Sequence, residues 1–186
     1  LQFNIESRPE LEAINRLAIA QQQVAPIAVR VNPDVDAATH AKITTGTAQN
    51  KFGISRAEIG DVCTKIENVP GLKLVGLAMH IGSQLLDLAP FDAAFATLRD
   101  LVVGLRQQGH NIERLDIGGG LGIPYGSEEP PTPADYATVV ERNLADLGCH
   151  IMFEPGRLIV GNAGLLVTQV VYVKETPTRR FIIVDA

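Results

Sequence analysis

The stretch Val75-Gly76-Leu77-Ala78-Met79-His80-Ile81-Gly82-Ser83 is an apolar run that stops abruptly at an imidazole, a glycine and a hydroxyl. Three other stretches have the same form. Leu115-Asp116-Ile117 runs into Gly118-Gly119-Gly120-Leu121-Gly122, Ile151-Met152-Phe153 into Glu154-Pro155-Gly156-Arg157, and Ile27-Ala28-Val29-Arg30-Val31 into Asn32-Pro33. Strands of a parallel sheet are buried on both faces and read as near-continuous apolar runs. Short runs of this kind, separated by helix-length segments, predict a (β/α) barrel. In that fold the site collects at the carboxyl ends of the strands.

Working outward, the remaining segments supply the helices. Ser7 with Glu10 has capping-box spacing and Pro9 sits in the first turn, so a helix is expected from there to about residue 22, behind a strand at 1–5. A strand at 24–31 is followed by a long polar segment, 32–53, of the length that in compact domains is functional or disordered. Ser55 with Glu58 repeats the capping spacing ahead of a helix to about residue 68. A strand at 72–79, an amphipathic helix at 90–108 closed by Gly109, and a strand at 112–117 come next. Thr132, Pro133 and Asp135 open a helix that ends before Gly148, and a fifth strand covers 150–153.

After that the rhythm changes. Residues 164–174 and 181–184 are extended, β-branched runs joined by a short turn, which predicts antiparallel structure and the start of a second domain near Asn162. The expectation is α/β: about five of the eight βα units of a TIM-type barrel over 1–162, then the beginning of a β-rich domain over 163–186. A complete barrel needs eight units and about 250 residues. The chain therefore reads as a central piece of a longer protein, whose open strand edges would leave backbone groups unpaired.

Composition narrows the functional classes. The net charge is −5, aromatics are 5% and there is no Trp, so neither a basic surface nor stacking platforms for nucleic acid are supplied. No apolar run approaches the roughly 20 residues of a membrane span. Two cysteines without metal-ligand spacing, Cys63 and Cys149, suggest no disulfide framework and no metal centre, and point to a reducing cytoplasm.

The strand-end residues carry the chemistry. Glycines let backbone amides approach a phosphate closely, although a triple glycine also serves a tight turn with no ligand. The dinucleotide spacing G-x-G-x-x-G is absent. His80 could stack on a ligand ring, or be a core histidine satisfied by a neighbour; Ser83 could donate to a phosphate. Glu154 could hold a pyridine nitrogen in its protonated form, or pair with Arg157 and only shape the loop. Arg157 suits bidentate binding of phosphate or carboxylate. Arg30 and Asp116 read as supporting hydrogen-bonding groups. Together these groups suit a phosphorylated, nitrogen-bearing cofactor.

The stretch VNPDVDAATHAKITTGTAQNKFGI at 31–54, then HIGSQ, LDIGGGLGI and EPGR, resembles the fold-type III pyridoxal-phosphate-dependent decarboxylases, and within that group the diaminopimelate decarboxylases. The motifs occur in the family order across essentially the whole chain. The resemblance implies that His80 stacks on the pyridine ring, that Ser83 with the amides of Gly118, Gly119 and Gly120 binds the phosphate, and that Glu154 pairs with the pyridinium nitrogen. It implies that Gly156 belongs to the cofactor loop, that Arg157 contacts phosphate or substrate carboxylate, and that Lys51, Phe52 and Gly53 help close the site. It also implies decarboxylation of meso-2,6-diaminopimelate to L-lysine and CO₂, in a homodimer with shared active sites. The family's Schiff-base lysine, in a Y-A-x-K-A-N motif, and its C-E-S-x-D cysteine match nothing here, so no catalytic residue is expected within the chain and the chain alone is expected to be inactive. Related decarboxylases of ornithine, arginine or carboxynorspermidine, a non-catalytic homologue acting as a binding or regulatory protein, and a cofactor carrier without turnover are the alternatives. The joint presence of His80, Ser83, the triple glycine, Glu154 and Arg157 argues against the non-catalytic homologue, and the β-rich segment after Gly164 against the carrier.

Overall fold

The computed structural model of the chain describes residues 1–33 and 52–186. Strand β1 (Phe3–Ile5) leads into helix α1 (Arg8–Ala20), where the Glu10 amide donates to the N-cap Ser7 Oγ at 3.4 Å. The Glu10 carboxylate reaches back one residue further than a capping box requires, to the Glu6 amide at 2.7 Å. Strand β2 (Ala25–Asn32) follows, then a two-residue strand β3 (Ile54–Ser55) beside its end. Helix α2 (Ile59–Glu67) is entered through a 3₁₀ turn. The capping box expected from Ser55 and Glu58 does not form: the Ser55 hydroxyl donates to the Glu58 side chain at 2.6 Å, and the Ser55 side chain caps no backbone amide of the turn.

Strand β4 (Leu72–Ala78), helix α3 (Ala89–Gln107), strand β5 (Arg114–Asp116), helix α4 (Pro133–Leu144) and strand β6 (His150–Met152) complete the alternation. At α4 the expected capping box is complete: Thr132 and Asp135 satisfy each other's backbone amides. The strands pair in parallel in the order β1-β2-β4-β5-β6, with β3 attached to β2. A bulge in β4, where Ile27 faces Leu74 but Ala28 faces Gly76, re-phases the end of the strand that carries His80.

The sheet curls. On a flat sheet β1 and β5, three strand spacings apart, would lie about 14 Å from one another. Yet Asn4 on β1 and Asp116 on β5 are joined by a side-chain hydrogen bond of 2.7 Å. Only a sheet rolling toward closure brings them together, so this is a partial barrel with α1 to α4 on its outside. The core lies between strands and helices, with Ile5, Ile27, Leu77, Leu115, Ile66, Phe91 and Leu98 almost wholly enclosed. Burying one such side chain stabilises by about 1.5–3 kcal/mol.

Beyond β6 come a one-turn helix α5 (Arg157–Val160) and an antiparallel pair, β7 (Val170–Glu175) with β8 (Arg180–Val184), which forms a sheet of its own and is exposed along nearly its whole length. The short elements β3 and α5 had no counterpart in the sequence pattern. Both cysteines are free thiols. Among the described residues no helix is long and apolar enough to cross a membrane.

Candidate active site

The loops after β4, β5 and β6 meet at one end of the sheet. The Met79 amide donates to Asp116 O at 2.8 Å and the Glu154 amide to Gly118 O at 2.8 Å, so each strand's ladder continues into its neighbour's loop. This brings His80, the triple glycine and Glu154 side by side. The three glycines are required first by packing. A Cβ on Gly119 would sit 1.8 Å from Glu154 O, one on Gly120 2.1 Å from Gly82 O, and one on Gly118 2.5 Å from Met79 O. Gly118 and Gly120 also have positive φ, 67° and 108°, which side-chain-bearing residues rarely adopt.

The amides are committed unequally. Gly118 N–H donates to Asp116 Oδ1 at 3.0 Å and Gly119 N–H to His80 Nδ1 at 3.3 Å. That leaves Gly120 as the triple-glycine amide without a protein acceptor among the described residues. The Ser83 hydroxyl and the amides of Gly156 and Arg157 are likewise without a hydrogen-bond partner among the described residues. His80, accepting at Nδ1, is a neutral ring carrying its proton at Nε2. Burial lowers its pKa, the Arg30 guanidinium lowers it further, and Asp116 opposes both.

Glu154 is exposed, two residues beyond the end of β6. Even so, the protein packed around its carboxyl, and then Asp116, hold its pKa above the usual carboxylate range, with Arg30 opposing. The Glu154–Arg157 ion pair is not formed; Arg157 Nη1 donates to the Tyr125 hydroxyl at 3.2 Å. Arg30, on β2, is paired with Glu6 at 2.6 Å and lies over the Phe52 ring, 5.0 Å from its centre. The other Glu6 oxygen accepts from Gly53 N–H at 3.1 Å. Lys51 lies outside the described residues.

Four contributors were not singled out from the sequence: Asn4, Glu6, Gln84 and Tyr125. Glu6 follows β1 directly, so the strand-end rule applied to the first strand would have found it. Gln84, at φ 60°, clamps Ile123 through both its amide groups, Nε2 to Ile123 O at 2.5 Å and Oε1 from Ile123 N–H at 3.2 Å. A cavity of about 240 Å³ touches Gly118 and Gly119 on their helix side, but its walls are Leu121, Tyr136, Phe153 and Leu158, too apolar to receive a phosphate.

Residues 1–161 match the family described as pyridoxal-dependent decarboxylase, pyridoxal binding domain. The chain belongs to this family. It is 48% identical over 185 residues to a diaminopimelate decarboxylase of Pseudomonas fluorescens and 44% identical over 187 residues to that of Zymomonas mobilis, covering 99% and 100% of this chain. It spans 44% of the length of each of these relatives. Among solved structures, diaminopimelate decarboxylase from Helicobacter pylori complexed with L-lysine superimposes with a TM-score of 0.90 at 39% identity, covering 100% of this chain and 47% of that one.

The residues present fit the cofactor of a pyridoxal-dependent decarboxylase. A neutral imidazole offers a stacking face and a carboxyl with raised proton affinity suits a ring nitrogen. Three amides and one hydroxyl without acceptors among the described residues suit a phosphate.

Proposed function

We propose that this chain is the cofactor-binding part of an enzyme that decarboxylates meso-2,6-diaminopimelate to L-lysine and CO₂ with pyridoxal phosphate. The observation that carries this reading is the convergence of His80, Ser83, Gly120 and Glu154 at adjoining strand ends, in a chain 44–48% identical to diaminopimelate decarboxylases along its whole length. When bound, the cofactor supplies an electron sink for the bond to the departing carboxylate. His80 supports the ring through its neutral face. Ser83 and the amides of Gly120, Gly156 and Arg157 hold the phosphate. Glu154 holds a proton at the ring nitrogen, which keeps the ring electron-poor. Arg157, whose guanidinium is free to fork onto an oxyanion once it leaves Tyr125, receives the phosphate or the substrate carboxylate. The lysine that anchors the cofactor belongs to a part of the protein outside these 186 residues.

Residues 1–162 form the barrel portion in this reading and 163–186 begin a β-rich domain, consistent with a family match that stops at residue 161. The enzyme works in the cytoplasm as a homodimer. The test is CO₂ release by the full-length polypeptide with pyridoxal phosphate on meso-diaminopimelate, L-ornithine and L-arginine. Release from diaminopimelate with L-lysine as product is expected. Release from another of the three overturns the substrate, and no release from any overturns the enzyme reading in favour of a non-catalytic homologue.

A further inference from the structure

Asn4 is a polar side chain between Phe3 and Ile5 on a strand at one edge of the sheet, and it bonds to a residue two strands beyond its neighbour. Its Nδ2 donates to Asp116 Oδ2 at 2.7 Å across the inside of the curled sheet. The amide is held the right way round by Gln2, whose Nε2 donates to Asn4 Oδ1 at 2.9 Å. Asp116 is 6% exposed, and its second oxygen accepts from Gly118 N–H at 3.0 Å. Both oxygens of a buried carboxylate are thus fixed, one by a side chain 112 residues away and one by the first amide of the glycine loop. A buried carboxylate is tolerated where donors satisfy it in this manner. The same carboxylate acts on Glu154 from β5 and on His80 from beside the end of β4, while Arg30 on β2, itself neutralised by Glu6, acts in the opposite sense.

We propose that Asn4 is a positioning residue for the cofactor site: its amide, reaching across the barrel, holds the Asp116 carboxylate where it anchors the glycine loop and presents its negative charge to Glu154 and His80. This rests on the reading that the site takes pyridoxal phosphate. Asn4 touches neither cofactor nor substrate and works through Asp116 alone.

The test exchanges the two side chains in the full-length polypeptide. In the double variant Asn4→Asp with Asp116→Asn, the amide at 116 still accepts from Gly118 N–H and donates to the carboxylate at 4. Every hydrogen bond is kept and only the charge moves away from Glu154 and His80. The expected result is a melting temperature close to wild type, with pyridoxal phosphate bound about tenfold more weakly, the loss of one charge-assisted interaction, and a shifted visible band of the bound cofactor. Wild-type affinity with an unshifted band would overturn the proposal, because a merely structural bond survives the exchange. Should the exchange not fold, Asn4→Ser, which shortens the donor, is read in its place: weaker cofactor binding with unchanged far-UV circular dichroism supports the role, and wild-type affinity overturns it. A wild-type protein that binds no pyridoxal phosphate removes the reading beneath the proposal, and the proposal with it.

Discussion

The loop after β5 and the loop after β6 end neighbouring strands, yet they are built in opposite ways. The glycine loop is buried and spoken for: Gly118 N–H goes to Asp116, Gly119 N–H to His80, and Leu85 bridges the loop through Gly120 O and Gly122 N–H, at 2.9 Å each. Neighbouring carbonyls stand where its side chains would be. The Glu154-Pro155-Gly156-Arg157 loop is tied at Glu154 N–H; Glu154 and Gly156 are exposed and Pro155 and Arg157 half-buried, the Gly156 and Arg157 amides have no partner among the described residues, and the guanidinium rests on Tyr125. One loop is held by its neighbours on nearly every side; the other is tied at a single amide, and it is the one that the proposed function assigns to the phosphate and the ring nitrogen.

That contrast can be broken most forcefully in the glycine loop. Gly119→Ala drives a methyl into Glu154 O, a backbone atom that cannot step aside. Loss of roughly 3 kcal/mol or more of stability is expected in denaturant unfolding of the full-length polypeptide. A loss below about 1 kcal/mol would show the loop to be far more yielding than its packing implies.

In the other loop the balance reverses. Glu154→Gln is expected to leave stability within about 0.5 kcal/mol of wild type, since the side chain is exposed. Pyridoxal phosphate should bind about tenfold or more weakly, the usual loss of a hydrogen bond to a charged group. Equal loss of stability and affinity would erase the distinction between the two loops.

His80 links them and gives a pH signature. Its folded pKa lies below the ordinary histidine value of about 6.5, chiefly through burial. As pH falls through that value the unfolded chain takes up a proton that the folded ring refuses, so stability declines on acidification. His80→Gln should flatten that part of the stability–pH curve between pH 7 and 5. An unchanged slope would mean that the ring does not titrate differently in the fold. The smallest effect is expected at Tyr125→Phe, which frees Arg157 from an exposed hydrogen bond. Stability should move by less than about 0.5 kcal/mol; a larger drop would place Arg157 in the scaffold.

What the sequence made legible follows the same division. Local signals were sound wherever the cause was local. The Thr132-Pro133-Asp135 cap, the turn at Gly109 and the apolar runs of the five barrel strands all form where periodicity and capping chemistry put them. Of the extended β-branched runs near the end, Val170–Glu175 and Arg180–Val184 pair as an antiparallel hairpin, while residues 164–169, expected in the first run, lie outside it. At Ser55 and Glu58 the same spacing gave only the bond between the two side chains, at the entry to a 3₁₀ turn rather than to an α-helix. Contacts between distant residues left no trace in one chain. Asn4 and Asp116 are 112 positions apart, and nothing around Asn4 announces a partner across the barrel. The glycines were legible as a special loop. That they mostly make room for neighbouring carbonyls, with one amide unpartnered among the described residues, required the neighbouring strands to be in place.

The most direct measurement is an equilibrium titration of the full-length polypeptide with pyridoxal phosphate, followed by the visible absorption of the bound cofactor in wild type, Ser83→Ala and Glu154→Gln. Saturable binding by wild type, weakened about tenfold in each variant, is the predicted result. Wild-type affinity in both variants, or no binding by the wild type, would contradict the assignment of these strand ends to the cofactor.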